Sequence, residues 1–340
     1  MRRILALGLA VSLLAACGDD GDDPAAGSVS STSSTAAGSS SSSSTAPATE
    51  GVSEGDGIYS PASNVDPHLA LGEDVAAIKA AMEPATKGEP VDWAAVGKIF
   101  REGTGASKKG DGSIRTLQGL VPGSAQDAFV NAAIDGTGDA AGASDAVRRQ
   151  MVDKGITVIL AEKVIEEYGK ARAKMEEGNL EPPSTGAVHN VDEAWAFLVA
   201  AGNGPASTAA KRAADFGLEG KVKEPVLQSI VVAQEHSQSG DLAAFDAATE
   251  ATQEALYYIF YLATFKYLDH DDEVGEAEGL AFYRGISAAI EQADAASHQA
   301  IVDAFESGDA AAGRAALNRD PVLAAIGVSA EEKVTGLAGS

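Results

Sequence analysis

The sequence predicts an all-α fold, a helical bundle built from two related halves. From Asp66 onward, apolar residues recur at spacings of three and four, as on the buried face of a helix. These segments are rich in Ala, Leu, Glu and Lys, and Gly or Pro stands at the breaks between them. We find no run of alternating apolar and polar residues that would indicate a strand.

Capping residues and apolar periodicity delimit the individual helices. Asp74, Asp92, Asp192 and Asp241 each precede an apolar periodic segment, where an aspartate can accept a hydrogen bond from a free backbone N–H. The second half of the segment 242–268 is apolar or aromatic on every face, which is typical of the central helix of a bundle. The predicted helices are 75–82, 93–101, 147–154, 156–175, 193–201, 242–268 and 279–305.

Short motifs recur in the same order along the chain, which predicts an internal duplication. Arg115 and Arg212 each precede a glycine-containing turn, and a Glu-x-x-Ala-Phe segment begins at Glu193 and again at Glu278. We therefore expect two related halves, residues 65–180 and 181–335, packed about a pseudo-twofold axis. An interior arginine must be paired, so Arg115 and Arg212 are expected to form structural ion pairs.

The N-terminus has the pattern of a secretory signal. Arg2 and Arg3 precede an apolar run that is too short to span a bilayer, and Leu-Ala-Ala precedes Cys17, the only cysteine. This resembles the bacterial lipobox, in which the thiol takes a diacylglyceryl group and the freed amine a further acyl chain. We expect removal of residues 1–16 and a covalent lipid on Cys17. The alternative is an ordinary signal peptide with a chance cysteine at its end.

Residues 17–64 are predicted to be a disordered tether between the lipid and the helices. They consist largely of Ser, Thr, Gly, Ala and acids, which bury too little apolar surface to offset the ordering entropy. Such a linker has a reach of roughly 35–40 Å. Because two or more acyl chains anchor stably, the protein is expected to be exported. It would be held at the cell membrane or outer membrane, facing the periplasm or the exterior, by the lipid alone.

The formal net charge is −25. A surface this acidic repels nucleic acid and anionic headgroups and raises the local concentration of cations. Nucleic acid is therefore not expected as a partner, whereas a metal cation is. Solubility alone explains the charge equally well.

A metal site in this chain would depend mainly on oxygen donors. The sequence has one cysteine and five histidines, and carboxylate or tyrosinate oxygens suit ferric iron as well as calcium, magnesium or manganese. Neither long predicted helix carries Glu-x-x-His, so oxygen-activating di-iron chemistry is not expected. The predicted metal ligands are Glu162, Glu166, Glu193, Glu278, His189 and Tyr258.

We expect these ligands to meet at the seam between the halves. Glu193 and Glu278 each begin an apolar helix in one half, and carboxylates at such places can converge between bundle helices. Alternatives remain open. Glu193 could serve only as a favourable charge at a helix N-terminus, and His189 as a cap or loop residue. Glu162 and Glu166 could lie on a solvated face.

Four segments resemble a known family. They are 92–96 (Asp-Trp-Ala-Ala-Val), 110–119 (Gly-Asp-Gly-Ser-Ile-Arg-Thr-Leu-Gln-Gly), 188–197 (Val-His-Asn-Val-Asp-Glu-Ala-Trp-Ala-Phe) and 210–217 (Ala-Lys-Arg-Ala-Ala-Asp-Phe-Gly). They are similar to the low-iron-inducible periplasmic proteins that green algae secrete under iron starvation, which have relatives in diatoms and bacteria. The resemblance implies an extracytoplasmic helical protein of iron acquisition and not an enzyme. Where histidine-bearing segments are expected on the long helices of relatives, this chain has Ala161-Glu162 and Ile165-Glu166.

Together these features predict a membrane-tethered, extracytoplasmic binding protein for iron or another metal cation. It would act with an envelope transport partner that the sequence does not identify. The alternative is a structural or adaptor envelope lipoprotein with no ligand. No nucleophile triad, phosphate-binding loop or His-Glu-x-x-His segment is visible, so no enzymatic activity is expected.

Overall fold

The computed structural model describes residues 53–270 and 272–338, and this part of the chain is helical. Within it no strand forms, although Lys108 and Ile114 make an isolated antiparallel bridge. The all-α class is therefore confirmed. The helices are α1 Asp66–Leu69, α2 Leu71–Ala81, α3 Trp93–Glu102, α4 Ala125–Asp135, α5 Asp145–Glu176, α6 Ala187–Val199, α7 Pro205–Phe216, α8 Lys223–Ser239, α9 Leu242–Tyr267, α10 Glu273–Ala293, α11 Ala295–Ser307, α12 Ala310–Leu317 and α13 Asp320–Ala325.

Two of the four predicted caps are confirmed. Asp92 accepts a hydrogen bond from the Ala95 N–H at the start of α3, and Asp241 does the same for α9. Asp74 and Asp192 lie inside α2 and α6, which begin earlier than predicted. Neither side chain caps its helix. Asp74 accepts a hydrogen bond from the Thr104 N–H, and Asp192 accepts one from the Ser63 N–H.

The long helices α5 and α9 form the centre of the bundle. α5 packs against α4, α6, α9 and α10, and α9 packs against α7, α8 and α10. Their buried apolar side chains belong to one continuous core. Gly155 in α5 allows the close approach of α4, since a Cβ there would lie 2.6 Å from Val130 Cγ2. The predicted duplication into residues 65–180 and 181–335 is not confirmed and stays a prediction.

Residues 53–65, which we call the strap, pack against the bundle. This corrects the predicted end of the tether at residue 64. Tyr59 is fully buried and stacks on Trp195 of α6, with ring centroids 5.4 Å apart. The strap lacks the apolar content that usually orders a segment, so its polar contacts with α6 have to help hold it. Residues 1–16, Cys17 and the rest of the predicted tether lie outside the described residues.

Candidate metal centre

Helix α6 places a histidine and a glutamate on the same face. It begins after Gly186, where a Cβ would lie 2.3 Å from the Leu180 carbonyl oxygen. His189 and Glu193 then stand one turn apart, and His189 Nε2 lies 3.1 Å from Glu193 Oε1. Glu193 is only 6 % exposed, whereas the His189 side chain keeps 15 % of its surface accessible to solvent. The cluster is therefore reached from outside along His189.

A second histidine reaches the same carboxylate oxygen from the N-terminal part of the chain. His68 lies in α1, which has Pro67 in its first turn. Its Nε2 atom is 3.1 Å from Glu193 Oε1, and its ring packs edge-on against Phe197 with centroids 5.5 Å apart. One oxygen of Glu193 thus lies between two imidazoles that are 121 residues apart in the sequence.

The other oxygen of Glu193 leads to a buried carboxylate on α5. Asn190 Nδ2 lies 3.3 Å from Glu193 Oε2 and 2.7 Å from Glu167 Oε2. Glu167 is 1 % exposed, and its other oxygen lies 3.0 Å from Lys163 Nζ and 3.3 Å from Lys170 Nζ. Burial raises the pKa of Glu167 to about 7, and the charge of Glu193 also raises it, while the two lysines oppose both effects.

The two histidines reverse the effect of burial on Glu193. Burial by itself would raise the pKa of Glu193, but the charge of His68 and the hydrogen bond and charge of His189 hold that pKa well below its usual range. Burial would lower the pKa of His189, but the hydrogen bond and charge of Glu193 outweigh it and raise that pKa. In this arrangement Glu193 is the ionised carboxylate of the cluster.

Asp192, next to Glu193 in sequence, faces the strap instead. It is fully buried and accepts hydrogen bonds through both oxygens. Its donors are Tyr59 Oη at 2.5 Å, Ala62 N at 3.0 Å, Ser63 N at 2.8 Å, Ser63 Oγ at 2.6 Å and Gln234 Nε2 at 3.0 Å. Ser63 Oγ also lies 2.8 Å from Nδ1 of His189. The strap therefore contacts both Asp192 and the outer nitrogen of a histidine in the cluster.

The structure does not bring Glu278 to this cluster. Glu278 Oε1 lies 3.2 Å from Lys154 Nζ on α5. Lys154 precedes Glu167 by thirteen residues, which is about 20 Å along a helix. Glu278 of α10 thus contacts the N-terminal half of α5, whereas Asn190 of α6 contacts the C-terminal half of α5. The expected meeting of Glu193 and Glu278 at a seam is therefore not found.

The remaining predicted ligands lie apart from His189 and Glu193. Glu166 is 43 % exposed and lies 2.9 Å from Lys163 Nζ and 3.3 Å from Lys170 Nζ, so it is linked to Glu167 through these two lysines. The Glu162 residue as a whole is exposed on α5, but desolvation of its carboxyl group raises its pKa to about 7. Tyr258 donates a hydrogen bond to the backbone oxygen of Glu332, 3.1 Å away. This contact places Tyr258 beside the C-terminal segment.

The two arginines of the predicted repeat have different surroundings. Arg212 Nε lies 2.9 Å from Asp215 Oδ2 within α7, and its guanidinium lies over the Tyr267 ring. Arg115 is buried and donates to Ser107 Oγ at 3.3 Å and to the Lys108 carbonyl at 3.4 Å. An acidic partner is thus seen for Arg212, but it comes from the same helix and not from the other half.

Sequence reasoning missed His68, Glu167, Ser63 and the role of Asp192. A signal was available for Glu167, since it follows Val164 by three residues and precedes Ala171 by four, which puts it on the apolar face of α5. No local pattern marks His68 or Ser63. Their partners lie more than one hundred residues away in sequence.

The cluster is closed by contacts among its own members. In residues 53–270 and 272–338, no group of three or more His, Cys, Asp or Glu side chains is found that could hold a metal ion as arranged. His68 and His189 instead contact Glu193 directly. Both nitrogen–oxygen separations, 3.1 Å, are those of N–H···O hydrogen bonds.

The family model described as low iron-inducible periplasmic protein matches residues 29–223. The match spans more than half of the chain and includes the strap and the whole cluster, so the protein belongs to this family. The family is periplasmic, which indicates an exported protein. No curated protein and no solved structure matches the chain. In the described residues, none of the helices has the length and apolar character needed to cross a bilayer.

Proposed function

We propose that the protein binds a metal cation, iron in its cellular setting, through His68, His189 and Glu193. The observation that carries the proposal is the position of two imidazole nitrogens, each 3.1 Å from one oxygen of a buried carboxylate. Two imidazoles and a carboxylate are a donor set that suits ferrous iron and other divalent first-row metals. This set contains more nitrogen than the oxygen-rich site expected from composition.

Cation binding replaces protons at the cluster. In the metal-free protein, N–H groups of the two histidines face Glu193. A cation that enters displaces the Nε2 protons to solvent, because a metal ligand must be deprotonated. Glu167 lies one hydrogen-bonded residue away through Asn190. Its other oxygen contacts Lys163 and Lys170.

Titration of the exported protein with single metals tests this proposal. Anaerobic Fe²⁺, Mn²⁺ and Zn²⁺, and Fe³⁺ presented as citrate, are compared by calorimetry. We expect one saturable site. His68→Gln should lower the affinity at least 100-fold, because it removes a buried ligand. His236→Gln is the matched control, since His236 lies in the last turn of α8 and is not part of the cluster.

The ligand-free alternative predicts a different result. It is favoured by the direct contacts among the donors, which would then only fix α1 and the strap on α6. His68→Gln would in that case lower the unfolding temperature, and no variant would change the metal titration. Binding that is unsaturable, or equal in His68→Gln and His236→Gln, would reject the metal site and leave this structural role.

We also propose that the protein acts from a membrane surface, through lipid on Cys17, and has no enzymatic activity. The support is the Leu-Ala-Ala-Cys sequence at the end of the signal pattern. Lipid chains would hold the domain at the bilayer. Cys17→Ser should move the protein from the membrane fraction to the soluble extracytoplasmic fraction. Mass spectrometry of the intact protein should detect the acyl chains only in the wild type.

A further inference from the structure

The Ser63 hydroxyl of the strap lies between a carboxylate and a histidine. Its Oγ atom is 2.6 Å from Asp192 Oδ2 and 2.8 Å from His189 Nδ1. A serine hydroxyl has one proton to donate and two lone pairs that accept. Only one of the two short contacts can therefore use the Ser63 proton.

The surroundings of Asp192 decide which contact uses that proton. All its other partners donate to it: the Tyr59 hydroxyl, two backbone N–H groups of the strap and the Gln234 amide. This set of donors fits an ionised carboxylate that only accepts. The Ser63 proton therefore goes to Asp192. Ser63 Oγ must then accept a hydrogen bond from His189, which requires that Nδ1 carries a proton.

We infer that Ser63, held by Asp192, is a positioning residue that makes His189 keep its Nδ1 proton and give up its Nε2 proton when a cation binds. This inference rests on the proposed function. Nδ1 of His189 lies 2.8 Å from Ser63 Oγ, and its Nε2 lies 3.1 Å from Glu193 Oε1. A cation at Nε2 takes the place of the proton there, which leaves to solvent, whereas the Nδ1 proton stays on His189 in its hydrogen bond to Ser63 Oγ.

Ser63 consequently controls how well the cluster binds a cation. A histidine ligand whose outer N–H has a fixed acceptor is held in one ring orientation and one tautomer. If the acceptor is lost, His189 can lose either proton or turn its ring, and only part of the population presents the Nε2 lone pair. Loss of an outer acceptor typically lowers metal affinity about 10- to 100-fold.

Two hydroxyls on the same carboxylate provide a matched pair of variants. Ser63→Ala removes the hydroxyl that contacts both Asp192 and His189. Tyr59→Phe removes the other hydroxyl on Asp192, which the structure places against Gln234 and not against His189. We expect Ser63→Ala to lower the affinity for Zn²⁺ and Fe²⁺ about 10-fold, and Ser63→Thr, which keeps the hydroxyl, to retain wild-type affinity. Tyr59→Phe should lower the unfolding temperature but keep the affinity within twofold of wild type.

A spectroscopic measurement separates positioning from general loosening of the strap. In the Zn²⁺-loaded protein, ¹⁵N NMR of labelled histidine should show His189 protonated at Nδ1 and metal-bound at Nε2. If the metal binds Nδ1, or if Ser63→Ala and Tyr59→Phe change affinity equally, the inference is wrong although the metal site stands. If the wild type binds no metal, the proposed function fails, and the inference fails with it.

Discussion

Removal of the charge of Glu193 is the most direct test of the cluster. Glu193→Gln keeps the length and shape of the side chain but replaces a carboxylate that is 3.1 Å from two imidazole nitrogens. Loss of one member of a buried charged pair costs about 3–5 kcal/mol. Here the cost is smaller, because the histidines can release their protons and are then not left as unpaired buried charges. We therefore expect a loss of about 2–3 kcal/mol in the free energy of unfolding near pH 6.

The pH dependence of this loss has a definite sign. Glu193 raises the pKa of His189 in the folded protein. The stabilisation from the protonated histidine is thus fully present below the unfolded pKa of about 6.5 and is lost as the pH rises through the folded pKa. The difference in stability between wild type and Glu193→Gln should therefore become smaller from pH 6 to pH 9. Urea denaturation at both ends of this range measures it.

Glu278→Gln is the control that the sequence itself suggests. Glu278 opens the predicted equivalent helix and is equally shielded, with a side chain 12 % exposed beside Lys154. Glu193→Gln should lower metal affinity at least 100-fold, about 2.7 kcal/mol, and Glu278→Gln should leave the affinity unchanged. Equal losses of affinity in the two variants would refute the location of the site. Wild-type metal affinity in Glu193→Gln would refute the assignment of Glu193 as a ligand.

Two further predictions concern stability. Gly155→Ala should lower the free energy of unfolding by about 1–3 kcal/mol because its Cβ would lie 2.6 Å from Val130 Cγ2. Gly169 lies in the same helix, and a Cβ there would have nothing within 4 Å, so Gly169→Ala should raise the free energy of unfolding by about 0.5–1 kcal/mol. Urea denaturation at pH 7 compares the two variants, and a change of the same sign in both would contradict the packing. Burial raises the pKa of Glu167 from 4.5 to about 7, so its contribution to stability falls as the pH rises through that window, by at most about 3 kcal/mol. Glu167→Gln should lack this fall, and parallel urea midpoints from pH 4.5 to 8 would contradict it.

The parts of the fold that depend on local sequence were predictable. Asp92 and Asp241 cap helices as expected because capping involves residues only three positions apart. The predicted segment 279–305 is in fact two helices, since Asp294 leaves the helical conformation and caps α11. Apolar periodicity continues across this break, so it could not reveal the break.

The candidate site was only half predictable for the same reason. His189 and Glu193 lie one turn apart on one helix, and the sequence named both as ligands. His68 comes from a four-residue helix whose position is set by tertiary contacts. Glu278 was given the same role as Glu193 because the two begin similar motifs. Similar motifs do not fix the level at which two helices cross α5, and that level separates Glu278 from Glu193.

Helix α6 contacts the strap and forms the histidine–glutamate cluster with neighbouring residues. Asp192 and Glu193 point in directions about 100° apart, because each residue of an α-helix turns by that angle. A single inserted or deleted residue between positions 189 and 193 would turn one set of side chains away from its partners, although the helix itself would survive. Relatives that retain both sets of contacts should therefore vary in length in the connection 177–186, and never inside this one turn.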